Sequence, residues 1–481
     1  MPLTNDEVTE LARHAVQRMF NERGPDYRFP FDAVWLYVES GVNIPGTARP
    51  HQAGRLLREG WIETTGAIAK AVSEKRAGSS TPEYRFGHLL VKRQVPVAAL
   101  PVAGSKRASD LLTRLQLKMD SEGYVVSVAQ LANFYLAMMT SPLVILSGIS
   151  GTGKSLLPRK FAQHTKSGFK PVPVQPQWSD NSDLFGYVPT LSPEKFIKGH
   201  LIDSLIEALD NPEKLMIALL DEMNLAPVEH YFSDFLSVAE TRRRNGGVIQ
   251  TDALPIELPY STDGQEDKYK RLRNIGLPHN LRVIGTANMD ESTHSFSPKV
   301  LDRAFAIEFD DPDLTAFATA VNGSDEDFSE LAKLIGDQRN PISVQEARAT
   351  NQELFDQVAQ MLQEIQDILA PSGIKFGYRT RDAILLYLHF WRQLGLEDIV
   401  NSSAALDFCL LQKVLPKILG SGDTLADALT KLKTWLQKDR SVDVDGGDVT
   451  EFTGPFVRSL QKIDRMAALL EVDGSTHYWG T

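Results

Sequence analysis

An apolar run, Leu143 to Leu146, leads into Gly148-Ile149-Ser150-Gly151-Thr152-Gly153-Lys154-Ser155, and Leu156-Leu157 follow. The order is G-x-x-x-x-G-K-[ST] between a strand and a helix, an arrangement that wraps phosphate groups. Its glycines let the backbone curl so that successive N–H groups meet phosphate oxygens, and the helix N-terminus adds a favourable dipole. Lys154 is then placed to reach the β- and γ-phosphates, and the Ser155 hydroxyl to hold Mg²⁺. A cradle of this kind predicts an open α/β sheet with ligands at the carboxyl ends of its strands.

Two further segments supply chemistry. Leu215-Met216-Ile217-Ala218-Leu219-Leu220 is a buried-strand pattern ending in Asp221-Glu222. Asp221 would hold Mg²⁺ at the strand's end, and Glu222 would orient and activate the attacking water. Leu281-Arg282-Val283-Ile284-Gly285-Thr286-Ala287-Asn288 is a second strand delivering a polar amide, Asn288. After it, SFSPKVLDRAFAIEF places Arg303 near the end of a short helix and before another apolar run, where a lone arginine can be a surface or ion-pair residue; Arg282 is the next arginine to consider. Other chemistries find no support. The ten histidines show no metal-ligand spacing, and Glu266-Asp267-Lys268 sits in a polar loop rather than a nuclease strand. No N-K-x-D guanine-reading motif occurs, and the single cysteine, Cys409, excludes an internal disulfide framework.

The chain has 481 residues, 42% hydrophobic and 23% charged, the balance of a globular protein of two to four domains. No apolar run approaches the roughly 18 residues a bilayer needs, and the polar N-terminus lacks a signal-peptide pattern, so no membrane partner and a cytoplasmic location are expected. Three zones emerge. Residues 1–100 form a small mixed unit ending in the linker-like VPVAALPVAGSKRAS; residues 107–310 alternate strand and helix patterns; residues 311–481 are mostly helical, as in QELFDQVAQMLQEIQDILA, which PSG stops. The predicted fold class is α/β: a parallel sheet with helices on both faces, a helical lid and a small N-terminal winged-helix-like domain. The role of residues 421–481 is open.

Charge is uneven. Residues 1–107 carry 15 Lys+Arg against 11 Asp+Glu, or +4, leaving −15 of the net −11 for the remainder. Within that basic zone FPFDAVWLYVESG predicts one amphipathic helix and TARPHQAGRLLREGWIE a second, with Pro50 suited to its first turn. TTG then reads as a turn, and SEKRAGSSTPEYRFG as a hairpin wing. Arg49, His51, Gln52 and Arg55 on the second helix, with Lys75 and Arg76 on the wing, would suit phosphate and base-edge contacts on duplex DNA. A helical protein-docking module is the alternative.

From about 126 to 420 the chain resembles the McrB-type branch of AAA+ proteins, motor subunits of modification-dependent restriction systems. The resemblance rests on LANFYLAMMTSPLVILSGISGTGKS, QPQWSDNSDLFGYVP, LLDEMNLAPVEHYFSDFLSVAE, GTANMDESTHSFSPKVLDRAFAIEF, FGYRTRDAI and LQKVLPKILG. The DNSDLFGY segment is also similar to the dynein-related AAA+ group. The resemblance implies a homo-oligomer, a hexameric ring, that hydrolyses nucleoside triphosphate with Mg²⁺, works with an McrC-type endonuclease subunit and powers DNA translocation. By it Asn288 is the γ-phosphate sensor, Arg303 the arginine offered to a neighbouring subunit, and Arg379 the lid's sensor arginine; pairing of Arg379 with Asp382 at a helix start is its structural alternative. Where the branch reads M-N-T-A-D-R-S, this chain reads Ala287-Asn288-Met289-Asp290-Glu291-Ser292, so ATP and GTP both stand as the nucleotide. Two other function classes compete: a protein-remodelling chaperone of the dynein-related or MoxR type, and a slow nucleotide-gated switch.

Overall fold

The computed structural model describes residues 105–259, 269, 271–289, 293–310, 314–315, 326–440 and 451–479, together with 8, 11–12, 15–16, 19, 28–30, 33–34, 53, 56–57, 62–70 and 80–86. The chain divides into two compact units, Met1–Leu100 and Pro101–Thr481.

In the first unit Val8, Ala12, Ala15, Val16 and Met19 are helical and buried, a stripe at helical spacing. Ala12, Ala15, Val16 and Met19 share a core with Phe29, Leu56, Ile62 and Tyr84. Three strands, β1 (Arg28–Pro30), β2 (Ile62–Lys70) and β3 (Ser80–Phe86), form an antiparallel sheet in the order β1-β3-β2. Two expectations are corrected. FPFDAVWLYVESG opens not as a helix but as β1: Phe29 precedes Pro30, which disfavours helical backbone, and it pairs with Tyr84. Pro30 is accommodated because β1 lies at the sheet edge. Thr64-Thr65-Gly66 is no turn; it lies inside β2, where the register shifts between Thr64 and Ile68, a bulge of the sort an interior glycine often marks.

The second unit begins with α1 (Ser105–Ser121) and α2 (Val128–Thr140), the latter started by a capping box between Ser127 and Gln130. Then come β4 (Leu143–Gly148), α3 (Leu156–Thr165) and β5 (Gly168–Pro173). The DNSDLFGY segment makes a short helix, Ser182–Phe185, and a bridge between Tyr187 and Ile197. After it follow α4 (Ile202–Asp210), β6 (Met216–Asp221), α5 (Ser233–Glu240) and a small hairpin, β7 (Arg243–Asn245) with β8 (Val248–Gln250). β9 (Leu281–Asn288), a short helix Pro298–Leu301 and β10 (Phe305–Glu308) complete the core. Five strands pair in the order β10-β4-β9-β6-β5, all parallel.

Alternation along the strands feeds two cores. Val144 and Leu146 face one side with Ile217, Leu219, Ile284 and Phe305, while Leu143 and Ile145 face the other with Met216, Ala218, Leu220 and Val283. Burying each such side chain contributes about 1.5–3 kcal/mol, which is why continuous apolar runs become central parallel strands here.

The elements that follow include α6 (Ser329–Ile335), α7 (Gln352–Leu369), α8 (Tyr378–Gln393), α9 (Ser402–Lys413), β11 (Leu419–Ser421), α10 (Asp423–Gln437), α11 (Val457–Asp473) and β12 (Ser475–His477). Residues 421–440 and 451–479 belong to this helical body. Asp407 of α9 accepts hydrogen bonds from the Arg458 and Ser459 N–H groups at 2.8 and 2.9 Å, capping α11 from outside. Lys462 of α11 reaches Glu308 at the end of β10, at 2.7 Å. Among the described residues no helix is long and apolar enough to cross a membrane.

Candidate nucleotide site

The carboxyl ends of β4, β6 and β9 converge because these strands are neighbours, with Gly148 in register with Asn288 and Leu220 with Gly285. Between β4 and α3 the loop turns through left-handed backbone at Gly148 (φ 137°), Gly151 (φ 86°) and Gly153 (φ 85°). At Gly148 packing adds a second demand: a Cβ would lie 2.6 Å from Asp310 Oδ1 and 2.7 Å from the Phe309 carbonyl. Asp310 Oδ1 also accepts the Ile149 N–H at 3.1 Å, fixing where the loop leaves the sheet. Tyr124 backs the far side, its hydroxyl donating to the Gly153 carbonyl at 3.3 Å. The crest, Ile149, Ser150 and Gly151, is exposed, and Thr152 closes it by donating to the Ile149 carbonyl at 3.0 Å.

Lys154 is buried, and its ammonium donates to the carbonyls of Gly148 at 2.9 Å and Ile149 at 2.6 Å. Burial lowers its pKa, and the carboxylates of Asp310, Asp221 and Glu222 pull it back up. The acids follow as a connected chain. Ser155 Oγ donates to Asp221 Oδ1 at 2.6 Å, and Thr286 Oγ1 donates to the same oxygen at 2.7 Å. Thr286 Oγ1 in turn accepts the Glu222 N–H at 2.9 Å, so one hydroxyl serves both acids. Glu222 holds a left-handed backbone, φ 54° and ψ 48°, which strains a residue with a Cβ by about 1–3 kcal/mol and occurs where neighbouring bonds over-determine it. Asn288 Nδ2 donates to Glu222 Oε1 at 3.3 Å, and Asn224 Nδ2 holds the Asn288 carbonyl at 2.8 Å.

Ser155 and Asp221 are hard oxygen donors touching each other at a strand end, and Mg²⁺ takes one or two such protein ligands, leaving its other positions to water and phosphate. The pair fits that ion. Among the described residues no group of three or more His, Cys, Asp or Glu side chains is placed to hold a metal.

Arg303 and Arg379 converge elsewhere, on Glu240 at the end of α5. Arg303 Nε lies 2.5 Å from Glu240 Oε1 and its Nη2 donates to Oε2 at 3.0 Å; Arg379 Nη2 lies 2.7 Å from Oε1. The helix-start partner considered for Arg379, Asp382, pairs instead with Arg381 at 2.7 Å. Arg282 cannot serve as a mobile arginine: it is buried, and its guanidinium donates to the carbonyls of Met138, His279, Leu281 and Ile335 at 2.6–3.1 Å. Arg49, His51, Gln52, Arg55, Lys75 and Arg76, like Glu266-Asp267-Lys268, lie outside the described residues.

Four participants went unread in the sequence. Thr286 was detectable, since two residues before Asn288 is the same face of a strand. Asn224, two positions after Glu222, carried no comparable signal. Asp310 and Glu240 are distant in sequence from what they touch, and only the sheet order brings them there.

Residues 143–304 match the AAA domain family, dynein-related subfamily. Residues 330–475 match a domain of unknown function (DUF8727). No curated protein matches the chain. Among solved structures that match is the crystal structure of a putative ATPase from Cytophaga hutchinsonii, with 14% identity, a TM-score of 0.40, and coverage of 64% of this chain and 88% of that one. With the family match and five parallel strands flanked by helices, residues 143–304 are an AAA+ P-loop core, followed by a helical region.

Proposed function

We propose that this AAA+ protein hydrolyses ATP or GTP with Mg²⁺ and uses the cycle to drive DNA translocation or remodelling, as the ring-forming motor beside a nuclease subunit of the McrC type. The observation that carries the hydrolytic part is the hydrogen-bonded run Ser155–Asp221–Thr286–Glu222–Asn288, which sets an acid pair and an amide beside the phosphate loop. The restriction-system part is supported by the McrB-like wording of six segments between about 126 and 420, and by the basic balance of residues 1–107. Residues 1–100 are read as a winged-helix-like DNA-binding domain. The antiparallel strands β1 to β3 and the buried helical stripe from Val8 to Met19 support that reading.

The residues divide the work. Backbone N–H groups from Ser150 to Ser155 and the α3 N-terminus bind the phosphates. Lys154, drawn away from its carbonyl partners, meets the β- and γ-phosphates. Mg²⁺ held by Ser155 and Asp221 would neutralise charge between those phosphates. Glu222, fixed by Thr286 behind and Asn288 beside it, orients the attacking water and takes its proton. Arg303 completes the charge stabilisation from an adjoining subunit. A second reading, protein remodelling, is favoured by the apolar side chains around the Tyr187–Ile197 bridge: Leu191 is 97% exposed, and Tyr187 and Ile197 nearly half.

Hydrolysis is tested with two variants. Lys154→Ala should abolish nucleotide binding, whereas Glu222→Gln should keep binding and stop phosphate release. Near-normal turnover in Glu222→Gln overturns the assignment.

A further inference from the structure

Residues 475–479 fold back from α11 onto the edge of the sheet that carries the phosphate loop. Gly474, left-handed at φ 72°, ends α11, and β12 then pairs with β11, which delivers Tyr478 and Trp479 to the interior. Trp479 packs against the cores on both sides of the sheet, its ring 6.0 Å from that of Phe296 in the segment between Asn288 and Arg303. Tyr478 is 1% exposed and stands edge-on to Trp479, and the Lys462 ammonium lies over its ring, 4.5 Å from the centroid.

These two side chains enclose the end of β10. Lys462, itself buried, donates to Glu308 Oε1 at 2.7 Å. Burial pushes the Tyr478 phenol well above its ordinary value, and the carboxyl groups of Glu308 and Asp310 beside it add to the shift. Glu308 keeps a proton at neutral pH, because burial and a hydrogen bond with Asp310 push it up to about 8. Asp310 is left as the acceptor at the entrance of the phosphate loop. Its Oδ1 takes the Ile149 N–H at 3.1 Å and fills the space that a Cβ on Gly148 would need. The Ile149 N–H precedes the amides that wrap phosphate, so Asp310 fixes the loop without competing for its ligand.

We infer that Lys462 and Tyr478 are positioning residues for nucleotide binding, setting the entrance of the phosphate loop through the Glu308–Asp310 pair. A buried polar network holds its geometry only while every member is satisfied. With either donor gone the Glu308 carboxyl is free to turn, and Asp310 loses the neighbour that aims it at Ile149. The loop is then pre-shaped for phosphate a smaller fraction of the time, and apparent affinity falls by that fraction. Glu222 and Asn288, which act on the water, rest on β6 and β9 and are spared. The inference rests on the hydrolytic reading only in taking the loop's ligand to be a nucleotide.

The test compares full-length Lys462→Met and Tyr478→Phe with wild type by two readouts. One is amide hydrogen exchange of the peptide spanning residues 147–156 without nucleotide; the other is Kd for fluorescent ATP and GTP analogues beside kcat at saturating nucleotide. Loop exchange should quicken and Kd rise by about tenfold, with kcat within about twofold and exchange across β6 and α7 unchanged. Asp310→Ala should do the same, and joining it to Lys462→Met should add nothing, because both break one route. Unchanged loop exchange in folded Lys462→Met overturns the inference, as do effects that add to those of Asp310→Ala or a loss confined to kcat. If Lys462→Met fails to fold, Tyr478→Phe, which removes only a hydroxyl, decides by the same criteria. Quickened loop exchange in variants of a chain that neither binds nor hydrolyses nucleotide upholds the tie to the loop and sinks the hydrolytic reading. Hydrolysis with a Kd that neither variant moves leaves that reading standing and sinks the inference.

Discussion

Replacing Thr286 by valine removes one hydroxyl and almost no volume, at a position only 2% exposed. Two bonds go with it: the 2.7 Å donation to Asp221 and the 2.9 Å acceptance of the Glu222 N–H. A bond to a charged group contributes about 1.5–3 kcal/mol, and a buried N–H left without an acceptor costs about 1–3 kcal/mol. The second loss matters more for turnover, because it falls on a residue whose left-handed backbone already carries strain. If about 1.5–3 kcal/mol of support for the Glu222 geometry is missing in the transition state, kcat should fall roughly 10- to 150-fold. Nucleotide affinity should change little, since Lys154 and the loop amides are untouched. Thr286→Ser keeps the hydroxyl and should restore most of the rate. The assay is phosphate release at saturating nucleotide, with Kd from a fluorescent analogue. A Thr286→Val rate within twofold of wild type, or an equal loss of binding and turnover, would refute the reasoning.

Three further outcomes are expected. Burial and a hydrogen bond with Asp310 push the Glu308 carboxyl up to about 8 despite Lys462, so the native state keeps a proton that the unfolded chain releases near 4.5. Stability should therefore decline as pH rises from about 4.5 to 8, by at most about 1.4 kcal/mol per pH unit from this group, and Glu308→Gln should flatten that slope in urea melts. Arg303→Ala should bind nucleotide but turn it over slowly, and co-assembled mixtures with Lys154→Ala should recover activity that neither shows alone; co-assembled mixtures that stay inactive in phosphate-release assays argue against a shared site. The full-length chain should bind duplex DNA with an affinity that falls on a log–log salt plot by about 0.9 per phosphate contact, weakened across sequences by Arg55→Glu and Arg76→Glu; gel shifts insensitive to salt would favour the protein-docking alternative.

What the sequence disclosed follows from where the information sits. The phosphate loop, the Leu215–Glu222 strand and the strand ending at Asn288 are local patterns, each naming its own elements, and their boundaries coincide with β4, β6 and β9 to within a residue or two. The helix ended by PSG was equally local and runs Gln352–Leu369. Partnerships were another matter. Glu240 meets Arg303 across 63 positions, and Ile149 meets Asp310 across 161, so neither pair could be read before the strand order was known. Asp382 beside Arg379 looked like a local partner, yet the one-residue neighbour Arg381 takes it, stacking on Tyr378 as it does so. Phe29-Pro30 misled in the other direction, where amphipathic spacing outvoted a proline that the sheet edge could accept.

The tie from α11 to the phosphate loop bears on how a newly made chain matures. Lys462 meets Glu308, whose neighbour Asp310 holds the Ile149 N–H. The loop is synthesised about 300 residues before that lysine, an interval of roughly 15–60 s at about 5–20 residues per second. Throughout it, Glu308 lacks the lysine that reaches it in the finished fold. A ribosome-bound intermediate thus carries every phosphate-binding residue and still lacks the finished support for them.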